Sequence, residues 1–333
     1  MRAVVCDEPL PAEDPRALRD AEVPDPPAPD GRDLRVRVQA VSVNPLDTKM
    51  RMQRYGGAPA SAQSGLRILG WDAAGVVEAV GDAATLFRPG DAVWYAGSNV
   101  RAGCNAELQL VDERLVGRKP ASLDWAQAAA MPLTTLTTFE AIVERLRAVA
   151  GETLLVIGGA GGVGSMAIQL GRCFGLRVVA TASRPASAAW CRALGAHEVI
   201  DHRRPLKESI RSAERVLQCV DTDGYWEQMA DVVAPQGAIC SIVASRAPLD
   251  LQRLQRKSAS FAWEAMFTRA TFGTPDMIEQ HRALSRVADW VDAGRVRTTL
   301  REQLGPICGE NLREAHRRVE TRAMIGKVAL AGW

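Results

Sequence analysis

Gly159, Gly161 and Gly164 stand in the spacing G-x-G-x-x-G, inside the run Gly158-Gly159-Ala160-Gly161-Gly162-Val163-Gly164. An apolar run, Leu154 to Ile157, leads into it with the length of a buried strand. Met166, Leu170 and Phe174 follow at helical spacing, Gly175 offers a stop, and Val178 to Ala180 read as a second strand. Glycines in a strand–turn–helix–strand setting can hold an anion. The first permits a tight turn, the second lets backbone approach a pyrophosphate, and the third lets helix pack on strand. The helix N-terminus adds unpaired N–H groups and the positive end of its dipole. Gly159, Ala160, Gly161, Gly162, Val163 and Gly164 are therefore expected to cradle the pyrophosphate of a dinucleotide.

The end of the second strand selects the dinucleotide. A carboxylate at that point accepts a hydrogen bond from a ribose 2′-hydroxyl, but no acid occurs between Thr181 and Trp190. Ser183 and Arg184 stand there instead. A hydroxyl and a guanidinium suit a 2′-phosphate, so the expected cofactor is NADP(H).

These residues need a scaffold, and the chain of 333 residues is long enough for two domains. A net charge of +2 argues against a nucleic-acid partner, and a hydrophobic share of 47% is ordinary for a globular protein. No uninterrupted apolar stretch approaches the ~20 residues of a membrane span, and the N-terminus does not read as a signal peptide. Seven scattered cysteines without a C-x-x-C read as reduced thiols. The expectation is a cytoplasmic protein acting on a small molecule.

Short runs alternate through the first 125 residues: Leu34, Val36, Val38 and Ala40 against Arg35, Arg37 and Gln39, then Ala73 to Val80, Ala92 to Tyr95 and Glu107 to Val111. Glycine and proline turns separate them, the signature of a barrel-like β domain. From about residue 125 the pattern changes to an alanine-rich helix over 125–150. Helices and strands then alternate at the spacing of a doubly wound parallel sheet: helices 186–194 and 225–233, strands Val199-Ile200, Val216 to Val220 and Ala238 to Val243. A helix over 276–293, a strand from Val296 to Leu300, a helix over 310–320 and a strand from Lys327 to Leu330 close the chain.

In this order several stretches resemble the medium-chain dehydrogenase/reductase superfamily. They are Val43-Asn44-Pro45-Leu46-Asp47, Leu69-Gly70-Trp71-Asp72 with the run to Val77, Arg88-Pro89-Gly90-Asp91, the glycine turn, Ala193-Leu194-Gly195-Ala196 and Gly326-Lys327-Val328. The nearest branch is the quinone oxidoreductase-like one, often labelled zinc-type alcohol dehydrogenase-like. The resemblance implies an α/β protein: a GroES-like β-barrel over 1–125, completed by about 270–333, and a Rossmann NADP-binding domain over 126–269. It also implies NADP(H) and a homodimer.

The zinc enzymes of that superfamily resemble a pattern with Cys at the first ligand, His at the second and Cys in a third segment. Here Asn44 stands for the first and Trp71 for the second, and Pro132 to Thr138 holds neither Cys nor His. A catalytic zinc needs three donor side chains and an open position, so no metal site is expected. Without a Lewis acid, oxidation of an unactivated alcohol lacks its usual assistance. An electron-poor acceptor, a quinone or an α,β-unsaturated carbonyl, can take a hydride directly if donors meet the developing oxyanion. The resemblance implies Asn44, Tyr55 and Thr137 around the nicotinamide, His202 against the adenosine, and Ser241 and Ile242 near the nicotinamide ribose. It puts Lys49 where the pattern has a second tyrosine. Asp47 and Arg51 read as a helical ion pair, Lys327 as a strand-edge residue or one that reaches a phosphate, and Trp263, Met266, Phe267 and Phe272 as an apolar cluster in the core or at a dimer contact. The expectation is an NADPH-dependent reductase, with a zinc-type alcohol dehydrogenase or a non-catalytic NADPH-binding homologue as alternatives.

Overall fold

A computed structural model of the chain describes residues 1–53 and 66–333. The chain divides into two compact units, one of Met1–Leu133 with Phe267–Trp333 and one of Thr134–Met266. Among the described residues no helix is long and apolar enough to cross a membrane.

The second unit is built on six strands. In spatial order they are Glu198–Ile200, Arg177–Thr181, Thr153–Ile157, Ala213–Gln218, Val233–Ser241 and Ser260–Trp263, and every neighbouring pair is parallel. Thr153–Ile157 comes first in sequence and sits in the middle, so the order reverses around it, as in a doubly wound sheet. Leu155, Ile157, Val179, Val216 and Ile239 pack on Trp226 and Met229 of the helix Thr222–Val232. The helix expected over 125–150 is broken into Trp125–Ala129 and Pro132–Glu140, followed by a wide turn over Ala141–Arg145. Pro132 has no N–H to continue the first helix but suits the first turn of the next.

Among the described residues the first unit holds two sheets. Arg19–Glu22, Arg2–Cys6 and Arg67–Ile68 form the smaller. In the larger, the ten-residue strand Asp33–Ser42 pairs along its length with Ala73–Val80. On its other side its first half pairs with Leu108–Asp112 and its last residues with Lys327–Ala331. The strand expected from Val296 to Leu300 begins only at Leu300 and runs to Gln303. The hydroxyls of Thr298 and Thr299 are turned instead to the carbonyls of Gln127 and Ala130. The core of this unit joins Val36, Val38, Leu69, Trp71 and Leu115 to Leu312, Val328 and Leu330 from the end of the chain. Of the four residues expected to form an apolar cluster, Trp263 and Phe272 are exposed and Met266 is buried, while Phe267 packs edge-on against Trp71 at 6.5 Å.

Candidate functional site

In the second unit the strand Thr153–Ile157 ends at Gly158, whose φ is 90°. A side chain there would sit 2.3 Å from a Val220 methyl. The left-handed position of the turn is therefore Gly158, one residue before the glycine expected to supply it. Gly159 packs instead: a Cβ would lie 2.8 Å from that of Ala180. The N–H groups of Gly158 and Gly159 reach the hydroxyl and carbonyl of Thr181, at 2.9 and 3.1 Å. At Gly164 a Cβ would lie 2.1 Å from the Gly158 carbonyl, so only hydrogen allows the helix Gly162–Cys173 to lie against the turn.

Gly161 is different. A Cβ there would meet only the Gly158 carbonyl oxygen, at 3.7 Å, so the space before it is open. The first intrahelical bond runs from Ser165 N–H to the Gly161 carbonyl, at 2.8 Å, which leaves the N–H groups of Gly162, Val163 and Gly164 without helical acceptors. The Ser165 hydroxyl holds the Ala160 carbonyl at 3.3 Å, and the Thr138 hydroxyl holds that of Val163 at 3.4 Å. An open space, a row of N–H groups and a helix N-terminus fit a pyrophosphate.

Other expected cofactor residues fare unevenly. Ser183 is half-buried and Arg184 exposed, in the turn leading to the helix Pro185–Ala193. His202 Nδ1 lies 3.1 Å from the hydroxyl of Tyr225, a residue that the sequence reading did not single out. The Ser241 hydroxyl is bonded inside the protein, 2.6 Å from that of Thr222 and 3.3 Å from the Val243 N–H, which ties the strand end. Ile242 follows, its N–H on the Gln218 carbonyl at 3.1 Å. Thr137 lies buried in the interior of the helix Pro132–Glu140.

Asn44 belongs to the first unit. The strand Asp33–Ser42 ends just before it, and Pro45 opens the helix Pro45–Arg51. Its backbone N–H donates to Asp47 Oδ2 at 2.8 Å. Its side-chain nitrogen donates to Asp72 Oδ2 at 2.9 Å, and its side-chain oxygen accepts from Lys327 Nζ. Lys327 also donates to Asp72 Oδ2 at 2.9 Å and to the Val43 carbonyl at 3.1 Å. The second oxygen of Asp72 accepts the Leu133 N–H at 2.7 Å. Lys327 is thus buried, not a strand-edge residue. Burial pushes the Asp72 carboxyl upward against the pull of the Lys327 ammonium and these donors. Burial likewise pushes Asp47 up to about 7, although the Asn44 N–H and the ammonium favour its charge. Asp47 and Arg51 do not form the expected pair: Arg51 turns to the Leu10 carbonyl, His316 and Glu320. Lys49 is exposed, and Tyr55 lies outside the described residues.

Gly70, with φ 110°, brings Trp71 and Asp72 against the Cys104 loop; a Cβ at Gly70 would lie 2.6 Å from Asn105 Oδ1 and 2.8 Å from Cys104 Sγ. Cys104 Sγ donates to the Asp72 carbonyl at 3.4 Å. Burial drives its thiol pKa far above the ordinary value. Near Cys104 is the buried Tyr95, whose hydroxyl has no hydrogen-bond partner among the described residues. Asp72, Tyr95 and the contacts of Lys327 were not assigned from sequence. A lysine opening the otherwise apolar run Lys-Val-Ala-Leu-Ala was the available signal.

The donors do not make a zinc site. The Asn44 carboxamide is bonded to an ammonium and a carboxylate. The indole N–H of Trp71 is a donor only, spent on the Ser98 carbonyl at 3.1 Å. Among the described residues no three His, Cys, Asp or Glu side chains are grouped to hold a metal. The histidines are placed elsewhere, His281 on the Val116 carbonyl and His197 on the Val178 N–H.

Comparison with known proteins places this geometry in context. The alcohol dehydrogenase GroES-like domain family matches residues 30–123, and the family described as zinc-binding dehydrogenase matches residues 194–330. A zinc-type alcohol dehydrogenase-like protein of Staphylococcus aureus (strain COL) is 38% identical over 91% of this chain and 92% of its own length. A quinone oxidoreductase of Pseudomonas aeruginosa is 31% identical over 92% and 93%. A crystal structure of a Rhizobium etli protein named for zinc-dependent alcohol dehydrogenase superposes with a TM-score of 0.94 at 47% identity, covering 100% of this chain and 98% of that one. With a doubly wound sheet, its glycine turn and a GroES-like unit, the chain belongs to the medium-chain dehydrogenase/reductase superfamily of nicotinamide-dependent oxidoreductases, among its zinc-type alcohol dehydrogenase-like and quinone oxidoreductase members.

Proposed function

We propose that the chain reduces a quinone or an α,β-unsaturated carbonyl with NADPH and without a metal. The observation that carries this reading is the Asn44 carboxamide. At a position where a zinc enzyme needs a ligand, this chain has a buried hydrogen-bond donor tied to an ammonium and a carboxylate.

When bound, NADPH supplies the hydride from C4 of its nicotinamide. The open space at Gly161, with the N–H groups of Gly162, Val163 and Gly164, takes the pyrophosphate. Ser183 and Arg184 take the 2′-phosphate through a hydroxyl and a guanidinium; no acid stands at the end of that strand to prefer a free 2′-hydroxyl. Asn44 donates to the acceptor oxygen as negative charge grows there, and solvent delivers the proton that completes the reduction. Thr137 faces the nicotinamide, and His202, with Tyr225, flanks the adenosine. The reading extends to a cytoplasmic homodimer. The strand Ser260–Trp263, paired on one side only and bearing the exposed Trp263, is a surface for a second copy.

The test is oxidation of NADPH and NADH, in parallel, by a panel of quinones and enones before and after treatment with a chelator. Acceptor-dependent oxidation that prefers NADPH and survives the chelator is expected. Absence of turnover with every acceptor, or activity that vanishes with zinc, overturns the reading.

A further inference from the structure

We propose that Lys327 is a positioning residue: its buried ammonium locks the Asn44 carboxamide so that it offers a single N–H, and no acceptor, to a carbonyl-bearing ligand. This deepens the reading above and rests on it for the identity of that ligand.

Lys327 opens the strand Lys327–Ala331, whose Ala329 pairs with Ser42. That pairing brings the lysine beside Val43 and Asn44 as the strand Asp33–Ser42 runs out. The ammonium has three hydrogens and meets three acceptors, the Val43 carbonyl, Asn44 Oδ1 and Asp72 Oδ2. Its side chain is 5% exposed and that of Asp72 is 0%. A buried cation paired in this way does not reorient without leaving a charge unmatched, which is costly.

The consequence falls on Asn44, held between the two charged groups. An ammonium has no lone pair to offer and a carboxylate has no hydrogen, so the carboxamide has one allowed orientation: oxygen to Lys327, nitrogen to Asp72. One amide hydrogen is spent on Asp72. The second meets no acceptor among the described residues, and a buried donor left unpaired is unfavourable. The ammonium also draws electron density from the amide oxygen, which strengthens the remaining N–H as a donor. A fixed, polarised, unspent donor suits an oxygen on which negative charge develops, such as that of a quinone or enone receiving hydride. The charge that polarises it comes from the chain itself.

Lys327→Met alone leaves Asp72 buried without its cation and can prevent folding, so the test pairs it with Asp72→Asn, which removes the ion pair as a unit. In the double variant the amide at 72 both donates and accepts, and Asn44 is free to flip. Expected are a retained melting transition, coenzyme binding within about twofold, and kcat with a quinone lowered by about tenfold or more. The kcat loss should shrink to near nothing when the pair is removed in an Asn44→Leu background, because positioning acts through Asn44. Equal loss in both backgrounds overturns the proposal.

A second measurement does not depend on turnover. The chain has four asparagines, Asn44, Asn99, Asn105 and Asn311, so asparagine-selective 15N labelling gives few side-chain amide pairs, and loss of one in Asn44→Leu assigns it. Two sharp, slowly exchanging Asn44 resonances in the unaltered protein, averaged or broadened in the Lys327→Met/Asp72→Asn variant, are expected. Unchanged resonances in that variant overturn the proposal even if no acceptor is ever turned over. Altered resonances with no turnover by the unaltered protein would instead fault the assigned reaction.

Discussion

Arg51 and His316, 265 positions apart, meet with Nη1 of the arginine 2.9 Å from Nδ1 of the histidine, both sealed from solvent. An arginine can only donate, so this imidazole is neutral with its Nδ1 lone pair toward the guanidinium. Burial, then the Arg51 charge, holds its pKa down at about 3. Between that value and the ordinary 6.5 the unfolded chain binds the extra proton, so this residue contributes stability above pH 6.5 that is lost as pH falls. His316→Gln, which keeps a neutral acceptor, should flatten part of the acid loss in thermal melts between pH 4 and 7.

Asp47 acts with the opposite sign. Its carboxyl is raised from 3.8 to about 7 by burial and by the neighbouring Asp72, against the Asn44 N–H and Lys327. In that window the folded state binds more protons, so stability falls as pH rises from about 4 to about 7. Asp47→Asn, whose side-chain oxygen can still accept the Asn44 N–H, should be more stable than the unaltered protein at pH 8 and about equal at pH 4. Denaturant titrations at the two values would show it.

The two glycines of the turn should fail in different ways. Gly161→Val projects into space that holds only the Gly158 carbonyl at 3.7 Å, so the protein should fold with a near-normal melting temperature and lose coenzyme binding at least tenfold. Gly164→Val meets that same carbonyl at 2.1 Å and should lower the melting temperature or prevent folding. Calorimetry alongside coenzyme titration separates the two.

Arg184 stands where a 2′-phosphate is proposed to bind. Arg184→Ala should weaken NADPH by about tenfold or more, the scale of a lost charge-assisted contact, and leave NADH within about twofold. Equal loss for both coenzymes in equilibrium titration would remove the arginine from that role.

What the sequence made legible was local. The strand, glycine turn and helix of residues 154–175 could be read because their spacing reports contacts a few residues apart, even though the left-handed residue proved to be Gly158. The Asn44 cluster could not be read in the same way. Lys327 is 283 positions from Asn44 and 255 from Asp72, and nothing in either neighbourhood announces the other. Periodicity paired Asp47 with Arg51 for the same reason that it missed the truth: it sees one helix, while Arg51 is claimed by a histidine and a glutamate near the other end of the chain. Ser241 was legible as the end of a parallel strand, but the use of its hydroxyl depended on Thr222, which only the folded sheet brings to it.

The strand Asp33–Ser42 waits for its last partner, Lys327–Ala331, and the core around it takes Leu312, Val328 and Leu330 from the same late segment. During synthesis the ribosome therefore completes the middle of this protein before its beginning can close. Thr134–Met266 has all its strands once they have emerged, while the first 133 residues remain an unfinished sheet with an apolar interior open to chaperones. Truncation near residue 266 should accordingly leave the nucleotide-fold portion foldable and the amino-terminal portion prone to aggregate.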